Sequence, residues 1–233
     1  MVGIDRASWV VRAIAVAVAI ALFGLLAAAG AHPRAGTAGC GGVEVSEPPH
    51  WHNHQRPPLA IGDSTMLLAL DQLARAGYEA NAHGCRQLPE AMAVVQARKR
   101  TGTLPHMVVV ALGADGTLPA WQIGEMLGLL CCKHLLVLVT PRELGGGSGA
   151  DAAKVRQEAA RHPTRIKLLD WVRYSAGRSW WFQPDGLHLT TSGATAFTSL
   201  LGKALKYAYP VARHRRPRHP PRSLTTRSSS DRH

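Results

Sequence analysis

His106-Met107-Val108-Val109-Val110-Ala111-Leu112 is a short continuous apolar run, which reads as a strand buried on both faces, the kind found inside parallel sheets. Upstream of it, strand-like runs at 58–61 and 78–82 alternate with helical stretches at 65–76 and 88–99. Leu67, Leu68, Leu70 and Leu73 are spaced for one buried helix face, and Gly77 stops that helix. Downstream, a helix at 120–130 leads to a strand at 135–140. The Gly145-Gly146-Gly147-Ser148-Gly149 loop precedes a helix at 151–161, a strand at 165–169 and a final helix at 192–209. Five strands interleaved with helices predict an α/β fold. Parallel strands need crossover connections, and helices supplying them cover both faces, giving a three-layer α/β/α, flavodoxin-like domain with a five-stranded parallel sheet over residues 58–209.

The chain has 233 residues, 46% hydrophobic and 18% charged, enough apolar material for one globular core. Length, composition and charge exclude a multispanning membrane protein, a collagen-like chain and a disulfide-dense miniprotein. The formal net charge of +12 is uneven: residues 213–233 hold seven Arg against the single Asp231, half of the excess. With three prolines among its arginines, the 210–233 tail is expected to be disordered. It is a candidate for contact with anionic membrane or cell-wall polymer. A nucleic-acid partner is not expected, because the folded part is left without a strongly basic surface and export removes that partner.

Arg6 and Arg12 precede an uncharged apolar run at 13–31, the pattern of an export signal, either cleaved after Ala29-Gly30-Ala31 or kept as a single anchor. The expected location is extracytoplasmic, secreted or anchored, with residues 32–57 as a linker. Export exposes Cys40, Cys85, Cys131 and Cys132 to an oxidising compartment. Adjacent Cys131 and Cys132 would strain a mutual bridge, so a disulfide is expected to join one of them, or Cys40, to Cys85. The alternative for Cys131 and Cys132 is burial as small apolar groups at a helix end. His50, His52 and His54 cluster in the linker without metal-ligand spacing, and no metal is expected.

In sheets of this kind ligands sit at the carboxyl ends of the strands. Ile61-Gly62-Asp63-Ser64-Thr65 puts Ser64 at the first such end, beside the positive end of the following helix. Pro184-Asp185-Gly186-Leu187-His188-Leu189-Thr190 lies just ahead of the last helix, at the same edge. An Asp three residues before a His on a turn can orient the ring, leaving its other nitrogen to take a proton from Ser64.

These residues resemble the SGNH hydrolase superfamily, also called the GDSL-like lipase/acylhydrolase family, over most of residues 58–209. Gly62-Asp63-Ser64 looks like the first block of that family and Asp185-Gly186-Leu187-His188 like its last. His83-Gly84-Cys85-Arg86-Gln87 is similar to the second, and Leu112-Gly113-Ala114-Asp115-Gly116 falls where the third, Gly-x-Asn, belongs. Together with Asp170-Trp171, the set is similar to the SGNH domains that accompany membrane O-acyltransferases of bacterial cell envelopes.

The resemblance implies a serine esterase or O-acyltransferase acting on acyl esters, O-acetyl groups of envelope carbohydrate among them, or on a small ester. Ser64 is then the nucleophile, His188 the base and Asp185 the orienting carboxylate, with an oxyanion hole from the N–H groups of Ser64 and Gly84. Asp115 replaces the Asn of that hole; an ionised Asp115 accepts hydrogen bonds and opposes an oxyanion, whereas a protonated one would donate. No cofactor is implied. The alternative is a catalytically degenerate glycan-binding module on the same fold.

Overall fold

The computed structural model of the chain describes residues 40–50 and 55–209. The expected signal or anchor at 1–31, His52, His54 and the tail at 210–233 lie outside the described residues. Among the described residues no helix is long and apolar enough to cross a membrane.

The six described strands form one sheet: β1 (Val43–Ser46), β2 (Leu59–Gly62), β3 (Glu79–His83), β4 (Met107–Ala111), β5 (Leu135–Val139) and β6 (Ile166–Leu169), in the order β1-β3-β2-β4-β5-β6. The five strands β2 to β6 run parallel, as the sequence predicts. The sixth, β1, pairs antiparallel with β3 at the edge. It falls within the stretch expected to be linker. Its four residues are exposed or half-buried, so no apolar run marks it.

Side-chain alternation along β4 divides the core into two layers. Val108 and Val110 face α2 (Leu88–Arg100), α3 (Ala120–Leu130) and α4 (Ala150–Arg161), packing with Leu88, Val95, Ile123, Met126 and Val155. Met107, Val109 and Ala111 face the other way, toward α1 (Leu70–Arg75), α5 (Trp171–Tyr174) and α6 (Thr191–Gly202), with Leu73, Trp171, Phe197 and Leu201. Each fully buried Val or Leu of this kind contributes roughly 1.5–3 kcal/mol, which holds the central strands in register.

Three expectations change in detail. The helix foreseen at 65–76 is a 3₁₀ turn, Ser64–Ala69, running into α1. Met66 N–H donates to the Asp63 carbonyl at 3.1 Å, so tight i→i+3 bonding governs the start. The last helix ends at Gly202, and a 3₁₀ turn, Leu205–Tyr207, follows. Cys131 is not a buried apolar group: it is exposed and takes φ +57 where α3 ends. Cys85 does bond to Cys40, with 5.4 Å between Cα atoms, fastening the segment before β1 to the turn after β3.

Candidate active site

Register lines up the carboxyl ends of the parallel strands. Gly62 stands level with Ala82 on one side and Ala111 on the other, and Val139 with Leu169. Ser64, Gly84, Asp115 and Asp170 follow the ends of β2, β3, β4 and β6, and the Asp185–His188 turn meets that edge through His188 on Ser64.

After β2, Asp63 caps the 3₁₀ turn and is 1% exposed. Its carboxylate accepts from Thr65 N–H at 3.1 Å and Thr65 Oγ1 at 2.7 Å, and from Gly113 N–H and Ala114 N–H, each at 3.1 Å. Burial pushes this carboxyl up from its ordinary value, with the Asp115 charge adding to that, while the Thr65 and Ala114 donors pull it down. With Asp63 serving as the cap, the neighbouring Ser64 hydroxyl is left for other partners.

Those partners are His188 and Asp115. His188 Nε2 lies 3.0 Å from Ser64 Oγ, and His188 Nδ1 lies 2.6 Å from Asp185 Oδ2. Asp185 Oδ1 also accepts from the N–H groups of Leu187 at 2.9 Å and His188 at 3.0 Å, which locks the turn. Partial burial acts to raise the Asp185 carboxyl, but the His188 ring, these two N–H groups and the His188 charge bring it below the usual carboxylate range. An ionised Asp185 can only accept, so Nδ1 carries the proton and Nε2 is free to accept from Ser64.

Asp115 Oδ2 lies 3.2 Å from Ser64 Oγ. The side chain therefore faces the serine. Ser64 has one hydroxyl proton and two acceptors within reach.

The other motif residues have structural work. Arg86 is buried, and its Nη1 donates to the Gly62 carbonyl at 3.2 Å and the Asn81 carbonyl at 2.8 Å, tying β2 to β3 just below Ser64. Gly84 is required by close approach: a Cβ there would meet the Cys40 carbonyl oxygen at 2.3 Å. Asp170 accepts from Arg156 Nε at 2.9 Å and Nη2 at 3.0 Å, from Thr140 Oγ1 at 3.0 Å and from Arg173 N–H at 3.1 Å, capping α5. Trp171 stacks on Trp181, 5.8 Å between centroids.

Sequence reasoning missed Arg142, which follows β5. Its Nε donates to the Gly186 carbonyl at 3.0 Å and its Nη1 to Ser175 Oγ at 3.0 Å. No local pattern marks it, because its acceptors lie more than thirty residues away in the chain.

No family model matches the chain. It is 32% identical over 145 residues to a peptidoglycan O-acetyltransferase of Listeria monocytogenes, covering 61% of this chain and 23% of that protein. It is 31% identical over 154 residues to an O-acetyltransferase of Staphylococcus aureus, covering 64% of this chain and 25% of that one. The chain thus matches about a quarter of the length of these relatives. Among solved structures, the C-terminal catalytic domain of Streptococcus pneumoniae peptidoglycan O-acetyltransferase A superposes with TM-score 0.56 at 24% identity, covering 66% of this chain and 94% of that one. The lipase/acylhydrolase of Enterococcus faecalis gives 0.51 at 14% identity, with 66% and 100% covered. The chain accordingly has the α/β fold of the SGNH and GDSL-like hydrolases and is similar in sequence to bacterial O-acetyltransferases.

Proposed function

We propose that the protein is a serine esterase or O-acetyltransferase that works on acyl esters of cell-wall carbohydrate, on the extracytoplasmic side, through an acyl-enzyme on Ser64. The observation that carries this reading is the chain of contacts Asp185 Oδ2 to His188 Nδ1 and His188 Nε2 to Ser64 Oγ, at 2.6 and 3.0 Å. His188 takes the hydroxyl proton as Ser64 attacks the acyl carbonyl, then returns it to the departing alcohol. Asp185 holds the ring and balances the imidazolium. In the second half His188 deprotonates water or an acceptor hydroxyl, which attacks the acyl carbonyl; the Ser64–acyl bond breaks and Ser64 takes the proton back from His188, completing hydrolysis or transfer. The names of the Listeria and Staphylococcus relatives support the acetyl group, and that of the Listeria protein supports the cell-wall substrate.

A degenerate glycan-binding site is the second reading, favoured by Asp115 facing Ser64, since a carboxylate there opposes an oxyanion. One experiment decides between them. The purified full chain is expected to release acid from an activated acetyl ester, and Ser64→Ala or His188→Ala to lower turnover by roughly 10⁴-fold or more. Asp185→Ala should cost less, because the carboxylate orients His188 without touching substrate. Release that persists undiminished in Ser64→Ala would dispose of the enzymatic reading.

A further inference from the structure

Within the Asp185–His188 turn, Gly186 N–H donates to the Gln183 carbonyl at 2.9 Å, Gln183 N–H to the His188 carbonyl at 2.7 Å, and Asp185 caps the Leu187 and His188 N–H groups. Beyond His188 on Ser64 and the buried Phe182, Leu187 and Leu189, the segment leaving β5 holds the turn's backbone. Gly145 N–H donates to the Asp185 carbonyl at 2.8 Å. Gly186 adopts φ +71 and fits so closely that a Cβ would stand 2.8 Å from Gly145 C and Gly146 N. Arg142 adds the contact that is built from a side chain. Its Nε reaches the Gly186 carbonyl and its Nη1 the buried Ser175 hydroxyl, while its Cζ lies 3.9 Å from the Phe182 ring centroid. Phe182 in turn pairs with Leu189, so Arg142 touches the segment that carries Asp185 and His188 at its first residue and at its middle, Gly186. Its neighbour Pro141 packs against the Asp115 loop, where a Cβ on Gly113 would come within 2.8 Å of Pro141 Cβ.

We propose that Arg142 is a positioning residue of the active site, holding the Asp185–His188 turn at hydrogen-bonding distance from Ser64 by bracing it against the end of β5. This rests on the acyl-transfer reading above. A lysine cannot replace it: an ammonium lacks the planar fork that meets two acceptors while lying on an aromatic face. Loss of the brace lets the turn shift, and a displacement of about 1 Å at a reacting pair lowers the chemical step by about a hundredfold without altering how the ester is held.

The test uses the full chain with Arg142→Lys, Arg142→Ala and Ser175→Ala, assayed on a soluble acetyl ester per folded molecule, folding being checked by thermal unfolding. Arg142→Lys should lose about ten- to a hundredfold in kcat with KM within about twofold. Ser175→Ala, which frees one end of the fork, should show the same split and a smaller loss. Guanidinium ion added to Arg142→Ala should restore part of kcat, and ammonium ion should not. Wild-type kcat in folded Arg142→Lys, or a loss confined to KM, overturns the positioning role while leaving Ser64→Ala inactive and the acyl-transfer reading in place. Activity retained by Ser64→Ala removes that reading instead.

Discussion

Asp115 competes with His188 for one proton. Its Oδ2 is 3.2 Å from Ser64 Oγ, against 3.0 Å for His188 Nε2. The position is not loose, because Asp63 accepts from the two N–H groups just before it, those of Gly113 and Ala114. In the proposed reaction, a carboxylate held there would draw the hydroxyl proton away from the base and repel the oxyanion formed as Ser64 attacks. Asp115→Asn converts the acceptor into a donor at the same place and should raise turnover, by up to about a hundredfold for one restored donor. A pH–rate series on both proteins checks it; two superimposable profiles would remove Asp115 from the chemistry. Ser64, Asp185 and His188 were legible because the signal is local: a strand end followed by Gly-Asp-Ser, and an Asp three residues before a His. The contact of Asp115 with Ser64 spans 51 residues, and only the assumption of a shared sheet edge could foresee it. Arg142 left no trace, since its main acceptor is a backbone carbonyl that any sequence supplies.

Among the elements, β2, β4 and β5 declared themselves through apolar runs, and the structure moves the limits of the five parallel strands by only a residue or two. β1 was hidden because an edge strand buries little: Val43 and Val45 are 58% and 51% exposed, and its Val-Glu-Val-Ser alternation covers only four residues inside a stretch read as linker. The Cys40–Cys85 bond and the register of β1 on β3 explain its place better than its side chains do. The break between the Ser64–Ala69 turn and α1 was invisible because helical spacing is satisfied by either form over so few residues. α5 is an element made by tertiary contacts. Its cap, Asp170, gathers Arg156, Thr140 and the Arg173 N–H. Burial acts to raise that carboxyl, but the Arg156 hydrogen bonds, the Arg173 and Thr140 donors and the Arg156 charge outweigh it and hold it below the usual range. A carboxyl depressed on folding stabilises fully above its unfolded value, and that contribution is lost as pH falls through the folded value. Asp170→Asn should therefore unfold more easily than wild type at neutral pH, by about 1–3 kcal/mol, and the gap should narrow below about pH 4. Urea midpoints at the two pH values measure it; a gap that stays constant with pH would mean the ionised form is not what matters.

At the scale of the whole molecule, charge and catalysis are separated along the chain. Half of the formal +12 lies in residues 213–233, beyond Tyr209, whereas the proposed chemistry is confined to the edge formed by the ends of β2 to β6. In the proposed reaction Ser64 attacks a small ester without help from the tail, so the two roles should be separable by truncation. Seven Arg near a polyanionic surface are worth at most about 1 kcal/mol each, enough to hold the protein on anionic lipid or wall polymer at low salt. Screening over a Debye length of about 8 Å at physiological ionic strength weakens that hold. A chain ending at Tyr209 should keep the full rate on a soluble acetyl ester and bind less to anionic vesicles or wall fragments, with the difference shrinking as salt is raised. Cosedimentation over a salt series reads the binding, and the ester assay on the same samples reads the chemistry. Equal binding by both chains at low salt would show that the arginines do not attach the protein to its surface. A fall in ester turnover on truncation would show instead that the tail reaches the site.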